Sequence, residues 1–165
     1  MNKSVLFFGG LACLIALIGV AFGLQHFGRE RLPSCDENPQ AFVEALSACT
    51  PYSCQFKHPF DKRNHTRVVS GLKDGRCNYS ETMPNSGNMR CIMDDQTARA
   101  LAEEHKFWYE MRQRAREQGQ SFGTRSGFGP NGSYSIAVIG DEEFEAPGGI
   151  QMATDNGQCE ILGYD

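Results

Sequence analysis

The densest chemistry in this chain lies between residues 49 and 65, in the run CTPYSCQFKHPFDKRNH. Cys49 and Cys54 stand five positions apart, and His58, Asp61 and His65 follow at intervals of three and four. Thiols in such a run serve as metal ligands, as a redox couple, as a nucleophile beside an imidazole, or as halves of disulfides. Two imidazoles and a carboxylate in one short loop suit metal ligation or proton transfer.

The cysteine count and the chain's N-terminus separate these uses. Residues 5–24, VLFFGGLACLIALIGVAFGL, carry no charge and follow Lys3 and the terminal amine. A helix of about 20 apolar residues crosses a bilayer, and a basic start, an apolar run and a small residue at Gly23 also resemble a secretory signal. Both readings export the body of the protein. The expected membrane contact is therefore through residues 5–24, with the body anchored in an inner membrane and facing the periplasm, or secreted if the segment is cleaved. Cys13 lies within the apolar run. Cys35, Cys49, Cys54, Cys77, Cys91 and Cys159 remain, and an even number of cysteines in an exported chain reads as a disulfide framework.

A zinc site at Cys49, Cys54, Cys77 and Cys91 fits less well, because neither pair has the two-residue spacing of common zinc modules. A redox couple fits less well too, since Cys49 falls at the C-terminal end of a helix, where the dipole raises a thiol pKa. Pro59 argues against a helix that would converge His58, Asp61 and His65 and favours an exposed loop, so the sequence assigns them no metal and the chain no cofactor.

The elements that must position these residues follow from periodicity and capping. Ser34 or Asn38 caps a helix with Pro39 in its first turn and Phe42, Val43, Leu46 and Cys49 along one side; Thr50 and Pro51 end it. Asp74-Gly75 marks a two-residue hairpin that sets Leu72 opposite Cys77, and a looser turn over residues 84–87 sets Cys91 opposite Ser80. On that register Cys77 and Cys91 are too staggered to bridge each other. The expected bridges join Cys49 and Cys54, in either order, to Cys77 and Cys91, and leave Cys35 for Cys159. A second helix spans residues 94–118, with a stripe of Ala98, Leu101, His105, Trp108, Arg112 and Ala115 and a basic C-terminal half that projects into solvent. Beyond it, residues 119–132 read as a glycine-rich linker, 134–139 as a strand, 141–145 as an acidic loop, and 149–153 with 158–162 as a hairpin.

The fold class this predicts is α+β: a small disulfide-stapled antiparallel β-meander packed with two helices, preceded by an N-terminal apolar helix and followed by a Gly-rich linker and a short β-rich tail. The corresponding segments are 1–31, 32–118 and 119–165. The chain carries 16 Lys and Arg against 20 Asp and Glu; beyond residue 31 the balance is 13 against 19. A body of that sign lacks the positive footprint that nucleic acid or anionic lipid requires. The expected function is an exported, membrane-tethered, disulfide-stabilised binding or assembly module without catalytic activity. Its contacts to a protein partner are expected at Lys57, His58, Asp61 and His65, and at the turn carrying Pro84 and Asn85, because rigid scaffolds present loops for recognition. The competing expectation is a small exported hydrolase or redox enzyme that uses His58 or His105 with a free cysteine.

Overall fold

The computed structural model describes residues 31–58, 61–129 and 132–163, so the segment 5–24 and its reading as anchor or signal lie outside the described residues. No described helix is long and apolar enough to cross a membrane. Leu32–Asp165 forms one unit and is α+β, with α1 (Pro39–Ser47), β1 (Tyr52–Lys57), β2 (Asn64–Lys73), β3 (Arg76–Thr82), a 3-10 turn (Pro84–Ser86), β4 (Asn88–Met93), α2 (Asp95–Glu117), β5 (Phe122–Gly129), β6 (Gly132–Ile139), β7 (Glu142–Glu145), α3 (Gly149–Asp155) and β8 (Cys159–Leu162). Five strands pair in the order β1-β2-β3-β4-β8, and β5-β6-β7 make a second sheet of three. These six strand pairings are antiparallel, and Ser34 makes an isolated parallel bridge to Gln55 of β1.

The first helix forms where its capping residues place it. Asn38 accepts a hydrogen bond from the Ala41 N–H, Pro39 occupies the first turn, and Phe42, Val43, Ala45 and Leu46 are buried. At its end the Thr50 N–H reaches the Ala45 carbonyl and the Cys49 N–H reaches the Leu46 carbonyl, the bonding pattern that closes helices through a left-handed residue. That residue is Cys49, at φ 49°. A non-glycine residue there costs on the order of 1 kcal/mol, and the Cys49–Cys77 bridge holds it in place.

The meander follows. Asp74 and Gly75 both have positive φ and close the β2–β3 hairpin with Leu72 opposite Cys77. Strand β2 carries a bulge between Val69 and Gly71. Gly71 sits at φ 90°, and a Cβ there would stand 3.2 Å from the Pro51 ring; glycine lets the strand pass the exit of α1. Alternation does the rest: Cys77, Tyr79 and Glu81 of β3 and Met89, Cys91 and Met93 of β4 are buried, while their neighbours in sequence are not. The buried face meets Phe42, Val43 and Leu46 of α1, Ala98, Leu101 and Ala102 of α2 and Ala153 of α3 in one core. Burying a side chain such as Phe42 or Leu101 stabilises by about 1.5–3 kcal/mol.

The bridges are Cys35–Cys54, Cys49–Cys77 and Cys91–Cys159. Cys49–Cys77 agrees with the expected pairing; Cys54 with Cys91 and Cys35 with Cys159 do not form. Strands β2 and β3 separate β1 from β4, about 14 Å at the usual strand spacing, well beyond the Cα separation a disulfide spans. Cys54 instead faces the segment that runs beside β1, where the Cys35 N–H donates to the Gln55 carbonyl and the Gln55 N–H donates to the Pro33 carbonyl. Cys159 is directly opposite Cys91 across the β4–β8 pair. Cys91 itself is opposite Tyr79 rather than Ser80, because the residues between Thr82 and Asn88 all belong to the turn.

The second half of the unit departs most from expectation. The C-terminal half of α2 does not project: Arg114 pairs with Glu142 at 2.9 Å and lies over the Phe144 ring, and Ala115 is buried against the small sheet. The glycine-rich stretch holds a strand, β5, because the regular backbone of β6 pairs with it along its length. Gly127 leaves room for the Tyr134 ring across the pair. The acidic loop is strand β7, and residues 149–155 are a third helix rather than half of a hairpin. A Cβ on Gly149 would overlap the backbone of Ala100 in α2, so glycine allows α3 to lie close on α2. Strand β8 then becomes an edge of the main sheet.

Candidate functional site

The antiparallel meander brings both expected contact loops to one end of the main sheet. The β1–β2 connection follows Lys57, which pairs with Asn64, and the β3–β4 turn follows Thr82, which pairs with Asn88. The two loops are neighbours: the Thr66 N–H donates to the Thr82 hydroxyl at 2.7 Å. Lys57 and Asn85 are exposed and Pro84 is half-buried. Asn85 and Ser86 both take positive φ in the 3-10 turn, which the Met83 N–H closes onto the Gly87 carbonyl.

His58, Asp61 and His65 are brought together by the hairpin rather than by a helix. Phe56 is opposite His65, and His58 lies two residues beyond Phe56, on the same side of the strand. The His58 and His65 rings are 5.0 Å apart. Asp61 Oδ2 is 2.9 Å from His65 Nε2, and Asp61 Oδ1 is 3.7 Å from His58 Nδ1. The Arg63 N–H donates to Asp61 Oδ1, and His65 Nδ1 is 2.9 Å from the Thr82 carbonyl. Burial and the neighbouring His65 lower the pKa of His58. Desolvation alone would raise Asp61, but the Arg63 N–H and His65 outweigh it and lower its pKa.

Beside this end of the sheet lies a cleft between the inner face and α2. Its α2 wall comes from the stripe of His105, Trp108 and Arg112, but its charged sheet residues were not singled out by charge or periodicity. Arg67 of β2 is opposite Glu81 of β3 and pairs with it at 2.9 Å, both side chains almost wholly buried. The guanidinium stacks 4.0 Å from the Phe56 ring centre and 5.3 Å from that of Phe42. The Tyr79 hydroxyl donates to Glu81. Burial pushes the Glu81 carboxyl up, yet the attraction of Arg67 wins and its pKa is lowered; burial and the Glu81 charge push Tyr79 well above its ordinary value. The sequence signal was present: Cys77, Tyr79 and Glu81 alternate onto the inner face, as do His65, Arg67 and Val69, and opposite charges at paired inner positions read as a buried ion pair.

His105 of α2 completes the cleft. Its ring meets Phe42 edge-on at 5.1 Å, and burial, with Arg67, lowers its pKa to about 3. The imidazole is therefore neutral near pH 7, and its Nε2 is buried without a hydrogen-bond partner among the described residues. The cavity it lines holds about 200 Å³, with Met83, Met89, Trp108 and Ile161 among the walls. Other buried polar groups are matched: Glu104 accepts from Trp108 Nε1 and from the Ile150 N–H, and the Tyr109 hydroxyl donates to the Cys35 carbonyl.

Fold and site together define a disulfide-bonded α+β domain of an oxidising compartment, with a buried charged cleft at one end of its sheet. No protein-family model, curated protein or solved structure matches the chain. The chemistry of the domain must be read from its own residues. The six cysteines outside residues 1–31 are all bridged, and a bridged sulfur has no thiolate with which to attack or ligate.

Proposed function

We propose that the chain is an exported, membrane-tethered binding or assembly module without catalytic activity. Its partner seats at the end of the main sheet, on the β1–β2 loop, the turn Pro84–Ser86 and the cleft beside them. The observation that carries this reading is the cavity of about 200 Å³ beside these loops, lined by His105, Met83, Met89 and Trp108, with the His105 Nε2 buried and unpartnered among the described residues. Leaving such a nitrogen unpaired costs about 1–3 kcal/mol, a cost recovered when a partner side chain parts the cavity wall and completes the bond. The cavity is smaller than the roughly 300–1,000 Å³ of small-molecule sites and matches one side chain. The expected anchor has an apolar stem for Met83, Met89 and Trp108 and a polar tip for His105. Exposed Ile161 and Leu162 on edge strand β8 extend the contact surface.

Export is supported by the three bridges, since structural disulfides persist in oxidising compartments. Tethering rests on residues 5–24. The competing enzyme reading needs a free cysteine, and the bridged set removes its nucleophile from Leu32–Asp165. A photo-crosslinking residue placed at Asn85, with Leu72 at the opposite end of the sheet as control, tests the reading in cells that make the protein. A discrete adduct from position 85, absent from position 72 and lost when Met83→Arg blocks the cleft, is the expected result. Equal labelling from both positions, or an adduct indifferent to Met83→Arg, overturns it.

A further inference from the structure

We propose that His58, Asp61 and His65 form a binding site for a divalent late first-row cation, for which Zn²⁺ is the probe. The first argument is hydrogen-bond chemistry. A carbonyl only accepts, so His65 Nδ1, 2.9 Å from the Thr82 carbonyl, carries the hydrogen and donates it. Its Nε2 then faces Asp61 Oδ2, 2.9 Å away. Two such atoms come this close only with a positive centre between them, a proton or a metal ion, and the second imidazole beside them favours the metal. An imidazole with Nδ1 bonded to a backbone carbonyl and Nε2 bare is the arrangement that holds metal-ligating histidines in one tautomer and orientation.

The second argument is the donor set and its spacing. Two imidazole nitrogens and one carboxylate suit Zn²⁺ and its neighbours, with water in the fourth position. At metal–ligand distances of about 2.0–2.2 Å, tetrahedral ligands stand about 3.3 Å from one another. Asp61 Oδ2 stands 2.9 Å from His65 and Asp61 Oδ1 3.7 Å from His58, so each carboxylate oxygen is near that value from one imidazole, and one ligand atom from each residue lies within 4.8 Å of the others. The third argument is preorganisation. The hairpin is closed by the His58 N–H on the Arg63 carbonyl and the Lys62 N–H on the His58 carbonyl. The Arg63 N–H fixes the Asp61 carboxylate, and His65 is buried. His58 and Asp61 keep side-chain exposures of 14% and 23%, which gives solvent access to the fourth position.

The site lies in the β1–β2 loop on which the partner reading also rests, but Zn²⁺ counted on the purified protein without a partner succeeds or fails whatever becomes of that reading. The untagged full-length protein in mild detergent, stripped by a chelator, is dialysed against Zn²⁺ alone, and bound metal is counted. One ion per chain is expected, with affinity reduced by at least the roughly 10- to 100-fold that losing a ligand's own partner costs in Asp61→Asn and in His58→Gln, both at half-buried positions. Because His65→Gln could disturb folding, ring-nitrogen NMR of the unaltered chain supplies a second readout. Added Zn²⁺ should shift the His65 Nε2 signal and leave Nδ1 protonated. Absence of stoichiometric binding, equal binding by both variants, or a proton found on His65 Nε2 that Zn²⁺ does not displace, would overturn the proposal and leave an imidazolium–carboxylate pair.

Discussion

At the scale of single residues, the cleft stakes stability on two unusual groups. His105 is the first. Its folded pKa of about 3 lies below the roughly 6.5 of a free imidazole, so between those values the unfolded chain takes up a proton that the folded chain refuses. Stability is therefore full above about pH 6.5 and falls as pH drops toward 3, with a limiting slope of about 1.4 kcal/mol per pH unit. The charges facing the ring are Arg67, Glu81 and Arg112, and Glu81, itself lowered, adds loss in the same direction only in the more acidic carboxylate range. Urea unfolding at pH 7 and pH 5 should show the wild type losing more stability than His105→Gln. His58, also lowered, leaves a residual slope, and identical slopes for the two proteins would refute the assignment. The Arg67–Glu81 pair is the second. Arg67→Met or Glu81→Met alone strands a buried charge and should cost about 3–5 kcal/mol. Arg67→Met with Glu81→Met should cost much less than the two singles combined, as denaturant titration of the four proteins will show. Additive losses would mean the pair is not coupled.

At the scale of elements, close approach and loop length decide. Gly149→Ala drives a methyl group into the Ala100 backbone and pushes α3 off α2, whereas Gly148→Ala, one residue earlier, meets open space and only a left-handed φ. Thermal melts should rank the first as losing about 1–3 kcal/mol or more and the second about 1 kcal/mol; a reversed order would contradict the α2–α3 packing. The bridges close separations of 19, 28 and 68 residues. On loop-closure entropy, replacing Cys91 and Cys159 by alanine should destabilise about 1 kcal/mol more than replacing Cys35 and Cys54. Helix starts were legible because their signals are local: of the two cap candidates Asn38 is the one that caps α1, α2 starts within a residue of Asp94, which caps it rather than opening it, and Asp74-Gly75 makes its turn. Strand β5 was not legible, because a glycine-rich segment has little strand propensity of its own and is ordered by β6. Helix α3 was not either, being seven residues long and held by α2.

At the scale of the whole molecule, the chain closes on itself. Strand β8 completes the sheet that β1 begins, the Gln158 side chain both accepts from and donates to Asp94 at the start of α2, and Cys159 binds Cys91. Peptide mapping of the native exported protein, alkylated before reduction, should recover the pairs 35–54, 49–77 and 91–159 with no alkylated cysteine beyond residue 31. Recovery of Cys54 with Cys91 would refute the strand order. The candidate site has the same origin in long-range order. The residues of the trio were visible in HPFDKRNH, but their convergence depends on where the β1–β2 hairpin closes, and His105 faces Arg67 and Glu81 only because α2 lies across β3 and β4.

The sequence by itself determined the even cysteine set, the caps and stripe of both long helices, the Asp74-Gly75 hairpin and the acidic body. Each of these depends on residue chemistry or on neighbours a few positions away. Only the tertiary structure decided the bridge partners, the ordering of the glycine-rich segment, the third helix and the cleft. Those are set by strand order and by close packing between segments far apart in the chain, and a spacing along one strand or helix does not encode which distant backbone will lie beside it.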